Sequence, residues 1–382
     1  MGLQNKAMPS RAIAREDANV RVVDIHARKV QDVIAIECDH IWKIYGGRAQ
    51  KSFSLIEHER LGKAKISEQF GGIVAVADFS IRVRMGEILC IMGLSGSGKS
   101  TLIRLINRLI DPTAGKIFIE GDDIGAKSEK ALRRLRSEKI AMVFQNVALF
   151  PHRTVGQNIA YGLEVRRLKK SNRLEIVHEM LDLVQLSGWQ DRYPDELSGG
   201  MQQRVGLARA LAMNPDILLM DEPFSALDPL IRRQLQDEFL KLSRLVKKTT
   251  VFVTHDLEEA LRIGDRIGIM KDGQLIQIGT PEEIVTSPAN EYVSAFVQGT
   301  QGSRFLSARS VMEPLPSGAI QATGRDIRSA PRVPADTPVS SLIDVSLETD
   351  GAIVVIDDES RPIGLITTKL LLRALKASSS AG

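Results

Sequence analysis

Residues 93–100 read Gly-Leu-Ser-Gly-Ser-Gly-Lys-Ser. An apolar run, EILCIM, leads in, and a helix-forming run, KSTLIRLIN, leads out. The spacing fits GxxxxGK[ST], and few chains can place that octapeptide between a strand and a helix without building a phosphate-binding loop. Glycines let successive backbone N–H groups curl toward one point, and the helix that follows adds the positive end of its dipole. The residues so placed are Gly93, Leu94, Ser95, Gly96, Ser97, Gly98, Lys99, Ser100 and Thr101. Lys99 is positioned to reach the β- and γ-phosphates of a nucleoside triphosphate, and Ser100 to ligate Mg²⁺. A purely structural glycine turn is the plain alternative, and the strand–loop–helix context weighs against it.

A second pattern is an apolar strand, residues 217–220, that delivers Asp221 and Glu222 at its C-terminal end. Ligands of open α/β sheets sit at that end. Asp221 can hold the Mg²⁺ shell. Strand alternation turns Glu222 to the other face, where it can orient and deprotonate a water. Alone, an Asp-Glu pair after a strand is a weak signal, since capping explains most such pairs.

The third pattern, Leu197-Ser198-Gly199-Gly200-Met201-Gln202-Gln203-Arg204, resembles the LSGGQ motif of the ABC ATPases, with Met201 where Gln is commonest. Physically, Ser198, Gly199 and Gly200 open a helix whose apolar face carries Met201, Val205, Ala208 and Ala212, so its free N–H groups make a second anion site. An ordinary Ser cap is the bland reading of that motif in isolation. The order of phosphate loop, LSGG motif and acidic strand is what carries the family resemblance.

That resemblance implies further parts. Gln145, ending IAMVFQ, is similar to the glutamine that contacts Mg²⁺ and the attacking water. His255, in VTHD, resembles the histidine that senses the γ-phosphate and supports Glu222. Asp228, in Ser225-Ala226-Leu227-Asp228, falls in the equivalent of the D-loop. Tyr45, in IWKIYG, resembles the aromatic that stacks on adenine, with Trp42 as its rival because residues 47–75 look like an insertion. The family also implies a head-to-tail homodimer in which ATP lies between one copy's phosphate loop and the other's LSGG helix. Coupling to membrane subunits is expected just after Gln145, around Phe150, Pro151 and His152.

The phrases MGLSGSGKSTLIRLINRLIDPTAGKI and YPDELSGGMQQRVGLARALAMNPDILLMDE resemble the ATP-binding subunits of quaternary-amine importers, those for glycine betaine, proline betaine or choline. Such a subunit works with ATP and Mg²⁺, with transmembrane permease subunits and, indirectly, with a periplasmic or extracellular solute-binding protein, from the cytoplasmic face of the membrane. Two alternatives stay open: a soluble non-transport ABC ATPase, and an importer ATPase for a different small solute. One cassette and no heptad run argue against the first.

The expected fold class is α/β: a P-loop ABC ATPase core with an antiparallel β subdomain and an inserted helical subdomain, plus a small C-terminal α+β module. Residues 1–36 read as a polar extension and 37–300 as the ATPase domain, with strands expected at 87–92, 140–144, 217–220 and 250–253. The helical subdomain is expected at about 152–215, with Leu174, Val177, Leu181 and Val184 on one apolar face. A hairpin is expected to turn at Asp272-Gly273. Residues 301–335, rich in Gly, Ser, Pro and Arg, read as a linker, and 336–382 as a single module resembling a CBS motif, with a tail.

Bulk properties exclude more than they assign. A net charge of +4 spread over 382 residues gives no basic stripe for nucleic acid. Cys38 and Cys90 have no CxxC or Cys/His company, so two buried, reduced thiols are expected rather than a metal site or a disulfide framework. No apolar stretch approaches the ~18 residues of a membrane span, and no signal-peptide pattern is visible at the N-terminus.

Overall fold

Half-buried alternation builds one sheet and continuous apolarity builds another. The computed structural model describes residues 33–46, 72–145, 147–298, 306–315, 330–348, 351–357 and 359–372. Expectations for residues 1–32, most of the 47–75 insertion and the C-terminal tail lie outside the described residues. Strands β1 (Ile34–Tyr45) and β2 (Ile73–Arg84) pair antiparallel, and β2 alternates buried and exposed side chains along most of its length. The first strand thus begins inside the expected polar extension: Ala35 and Ile36 are core residues.

The next strand, β3 (Ile88–Met92), is buried at every position, as a strand covered on both faces must be. It leads through the glycine-rich loop into α1 (Lys99–Ile106). Two strands, β4 (Ala114–Ile119) and β5 (Asp122–Asp123), complete the antiparallel sheet in the order β2-β1-β4-β5. After α2 (Glu129–Glu138) comes β6 (Ile140–Val143). Three helices follow before the next strand: α3 (Val155–Val165), α4 (Lys170–Leu183) and α5 (Gly199–Ala212). Thr154 and Gln157 close a capping box on α3, and Ser198 caps α5, so both starts are written in the sequence. On α4 the expected apolar face is only partly buried: Val177 and Leu181 are in the core with Val184 just beyond, but Leu174, in the helix's first half, is 51% exposed.

The chain then alternates as β7 (Ile217–Asp221), α6 (Pro229–Val246), β8 (Thr249–Thr254), α7 (Leu257–Ile263), β9 (Arg266–Lys271) and β10 (Gln274–Gly279). Together with β3 and β6 these strands form a six-stranded sheet of order β10-β9-β3-β8-β7-β6, parallel except for the β9–β10 hairpin. The hairpin turns at Asp272 and Gly273, both left-handed. Strand alternation divides the interior into two cores. Cys90, Met92, Leu218, Met220 and Phe252 face α3, α5 and α6, and Phe224, Phe239 and Phe252 gather there with ring centroids 5.8–6.5 Å apart. Leu89, Ile91, Leu219, Val251 and Val253 face α1 and the antiparallel sheet.

Two short helices, α8 (Pro281–Thr286) and α9 (Glu291–Val297), close the large unit. The C-terminal unit follows, with α10 (Ala308–Val311), β11 (Glu313–Pro314), β12 (Arg332–Pro334), α11 (Val339–Glu348), β13 (Ile353–Ile356) and β14 (Pro362–Ile366). Its sheet order is β11-β14-β13-β12. At its described residues, 306–315 and 330–335, the stretch expected as a linker with little core instead joins this unit; the rest of 301–335 lies outside the described residues. Leu306, Ala308 and Val333 are buried with Val339, Leu342, Ile353 and Ile366, and the two short edge strands both come from that stretch. Val285 of α8 packs against the same cluster and joins the two units.

Both cysteines are buried and free. Burial pushes the Cys38 thiol up to about 12 and raises that of Cys90 well above its ordinary value. A thiol-reactive dye at pH 8 is therefore expected to leave the native protein unlabelled and to label both positions in denaturant. Rapid stoichiometric labelling of the native chain contradicts this packing.

Candidate functional site

The phosphate loop is shaped by what presses on it. A Cβ on Gly98 would lie 2.2 Å from the Ala75 carbonyl oxygen of β2, and one on Gly93 would lie 2.2 Å from the Met270 carbonyl oxygen of β9. Gly98 (φ 103) and Gly93 (φ 154) also have backbones that L side chains resist. Around this loop opens a groove of about 750 Å³, lined by residues 94–96 and 98–101, by Gln145, Glu222 and His255, and by Gly72, Ile73, Val74 and Ala75.

Lys99, 6% exposed, donates from Nζ to the carbonyls of Gly93 (2.8 Å) and Leu94 (3.0 Å). Desolvation lowers its pKa, and the nearby Glu222 and Asp221 carboxylates oppose that fall. At the first turn of α1, the Ser100 hydroxyl donates to Asp221 Oδ1 at 2.9 Å. Burial raises the Asp221 pKa against the Ser100 hydrogen bond. The buried Ser97 hydroxyl has no hydrogen-bond partner. Ser100 and Asp221 supply hard oxygen donors side by side, the donor set that suits Mg²⁺ beside phosphate. The loop therefore fits a nucleoside triphosphate with its cation: a glycine-rich turn at a helix N-terminus, one lysine and an oxygen pair.

Glu222 lines the groove. Its Oε1 is 3.2 Å from His255 Nδ1, and its Oε2 accepts from Gln145 Nε2 at 3.2 Å. Three segments distant in sequence are thus brought together around one carboxylate. Glu222 has left the strand and adopts a left-handed backbone (φ 48), so a turn, not strand alternation, swings it away from Asp221. That turn is held by Glu222 N donating to the Val253 carbonyl (2.9 Å).

Tyr45, Ser198, Gly199, Gly200, Met201 and Asp228 are not among the residues lining this groove. Tyr45 ends β1, is 40% exposed, and pairs across the strands with Ile73, which does line it; Lys43 Nζ lies 5.2 Å from the Tyr45 ring centroid. Trp42 pairs instead with Ala114 of β4. Ser198 accepts from Met201 N and caps α5, and Asp228 accepts from Ile231 N and caps α6. Sequence reasoning missed the β2 edge at residues 72–75, Gln203 and Tyr292. Gln203 is 1% exposed and bonds to the backbone at Glu222 and Ala226; the Tyr292 hydroxyl donates to the same Met270 carbonyl that presses on Gly93. Polar residues within otherwise apolar helix faces were the available signal.

Glu259, on α7 just beyond His255, is 8% exposed and accepts from Gln236 Nε2 at 2.9 Å. Burial, more than any other cause, raises its pKa. An acid whose folded pKa is raised costs stability as pH climbs from its unfolded value through the folded one. Glu259→Gln is therefore expected to melt higher than wild type at pH 8, with the gap closing as pH falls to about 4.5, the usual Glu range. A thermal-shift series across pH checks this, and a gap that widens on acidification contradicts it.

A family model described as ABC transporter matches residues 76–225. Over 391 aligned residues the chain is 43% identical to the glycine betaine/proline betaine transport system ATP-binding protein ProV of Escherichia coli, covering 90% of this chain and 98% of that protein. It is 54% identical over 280 residues to the glycine betaine transport ATP-binding protein OpuAA of Bacillus subtilis, covering 73% of this chain and 67% of that one. Among solved structures, a dimeric post-hydrolysis ATP-binding cassette bound to ADP and Pi aligns with a TM-score of 0.56 and 31% identity, over 64% of this chain and 98% of the other.

Proposed function

The chain belongs to the ABC transporter family as an ATP-binding ATPase subunit, and on that premise we propose that it energises import of glycine betaine, proline betaine, choline or a related methylated amine. The observation that carries the chemistry is Glu222, held between Gln145 and His255 beside the Ser100–Asp221 pair. The solute class is supported by the names of the 43% and 54% identical relatives. The solute itself is expected to meet other subunits, where aromatic faces suit a quaternary ammonium through cation–π attraction.

ATP is the substrate. Its phosphates lie against the amides of residues 93–101, and Lys99 exchanges its loop carbonyls for β- and γ-phosphate oxygens. Ser100 and Asp221, with Gln145 as a further oxygen donor, would hold Mg²⁺, which would offset the charge building on the transferred phosphoryl group. The Glu222 carboxylate orients a water and takes its proton at Oε, and His255 supports that carboxylate and reads the γ-phosphate. Tyr45, beside Ile73 at the groove's rim, stacks on adenine.

Half of each site is supplied by a second copy. Ser198 caps a 14-residue helix, Gly199–Ala212, whose first residues do not line this chain's own groove. Arranged head to tail, the two helix N-termini clamp one triphosphate, so ATP binds the closed dimer better than the open one. Asp228 lies at the seam. Hydrolysis removes the γ-phosphate contact and lets the dimer open. Among the described residues no helix is long and apolar enough to cross a membrane. As the relatives' transport-system names suggest, permease subunits provide the path, this chain docks on their cytoplasmic face, and a solute-binding protein delivers cargo from the other side.

Replacing Glu222 by Gln keeps shape and removes the base. ATP turnover of the purified chain is expected to fall at least about a hundredfold, with nucleotide binding retained. Equal turnover of the two proteins would sink the assigned role. In cells lacking this chain, labelled glycine betaine uptake is expected to return with wild type and not with Glu222→Gln. Uptake of only a chemically unrelated solute refutes the solute class.

A further inference from the structure

Gln203 lies in the second turn of α5, the helix opened by Ser198, and it is buried to 1% exposure. Its planar amide is used at both ends: Nε2 donates to the Glu222 carbonyl at 3.0 Å, and Oε1 accepts from the Ala226 N–H at 2.9 Å. Those two backbone groups bracket the turn that carries Glu222 out of the strand. Glu222 is left-handed, a conformation that a residue with a Cβ resists. The surroundings must therefore hold it. The other bonds to its carbonyl, from Ser225 N (3.3 Å) and Ser225 Oγ (3.0 Å), are made inside the same turn. Gln203 supplies a contact from a different element, and that element begins at the residues that would meet the partner's nucleotide.

We propose that Gln203 is a positioning residue that couples the two nucleotide sites of the dimer, fixing the backbone of Glu222 in one site according to the seating of α5 on the nucleotide of the other. This rests on the composite-site reading above. Between α5 and the turn, a donor and an acceptor must sit on one rigid head of this length. Leu fills similar space but makes neither bond. Glu keeps the acceptor for Ala226, yet when ionised it turns a second oxygen on the Glu222 carbonyl. Protonated, Glu regains the donor and becomes a near copy of Gln.

The test uses the full chain, with steady-state turnover read against ATP concentration. Gln203→Leu is expected to lose at least about tenfold in kcat with little change in the ATP concentration at half-maximal rate. Its Hill coefficient should fall towards about 1, because closure at one site no longer sets the base at the other. Gln203→Glu should be poor at about pH 8 and recover relative to wild type by about pH 6, as the buried carboxyl takes up a proton. A Leu variant that keeps its kcat and Hill coefficient overturns the proposal. So does a Glu variant whose deficit is the same at both pH values, since that marks Gln203 as packing alone. If the Leu variant does not fold, the Glu variant decides by its pH profile. Failure of the composite-site reading shows separately, as a wild-type chain with no cooperativity and no ATP-dependent dimer by sedimentation.

Discussion

Two backbone carbonyl oxygens, those of Ala75 and Met270, occupy the places where Gly98 and Gly93 would carry side chains. The rest of the molecule depends on this contact. Through it the phosphate loop is pressed against β2 of the antiparallel sheet on one side and β9 of the central sheet on the other. The β9–β10 turn completes the joint: Gly273 N donates to the Ser97 carbonyl, and Ala77 N donates to the Gly273 carbonyl, both at 2.9 Å. Thus the loop is a three-way junction, and its curvature is set by the packing of two sheets. Any residue larger than glycine at positions 93 or 98 forces those sheets apart before it alters phosphate binding.

Much of this was legible in the sequence because its determinants are local. The strands at 88–92, 140–143, 217–221 and 249–254 fall close to where continuous apolar runs place them, and Thr154, Ser198 and Asp228 cap the helices they precede. The groove is similarly legible, since its phosphate loop, Gln145, Glu222 and His255 each end or follow a strand of one parallel sheet, and parallel strands deliver their C-terminal ends to one side.

What the sequence hid depends on distant partners. Glu222 follows a strand without remaining in its geometry, because Val253, Ser225 and Gln203 all hold its backbone from outside β7. Glu313–Pro314 and Arg332–Pro334 carry no strand signal in so few residues; they become strands only because β14 and β13 offer edges to them. Leu174 fits the periodic pattern of α4 yet faces solvent, while Val177 and Leu181 are buried in the core. Local pattern states which residues can be buried, and neighbours decide which are.

The short edges of the C-terminal sheet have one more effect. β11 and β12 lie at opposite margins, two and three residues long, and flank the longer β13 and β14. An unpaired margin recruits other chains in proportion to the length of ladder it displays. By ending on such brief strands, with Pro314 in one and Pro334 in the other, the sheet shows little open ladder to its surroundings. Short, proline-bearing margins of this kind leave little ladder for another chain to pair with.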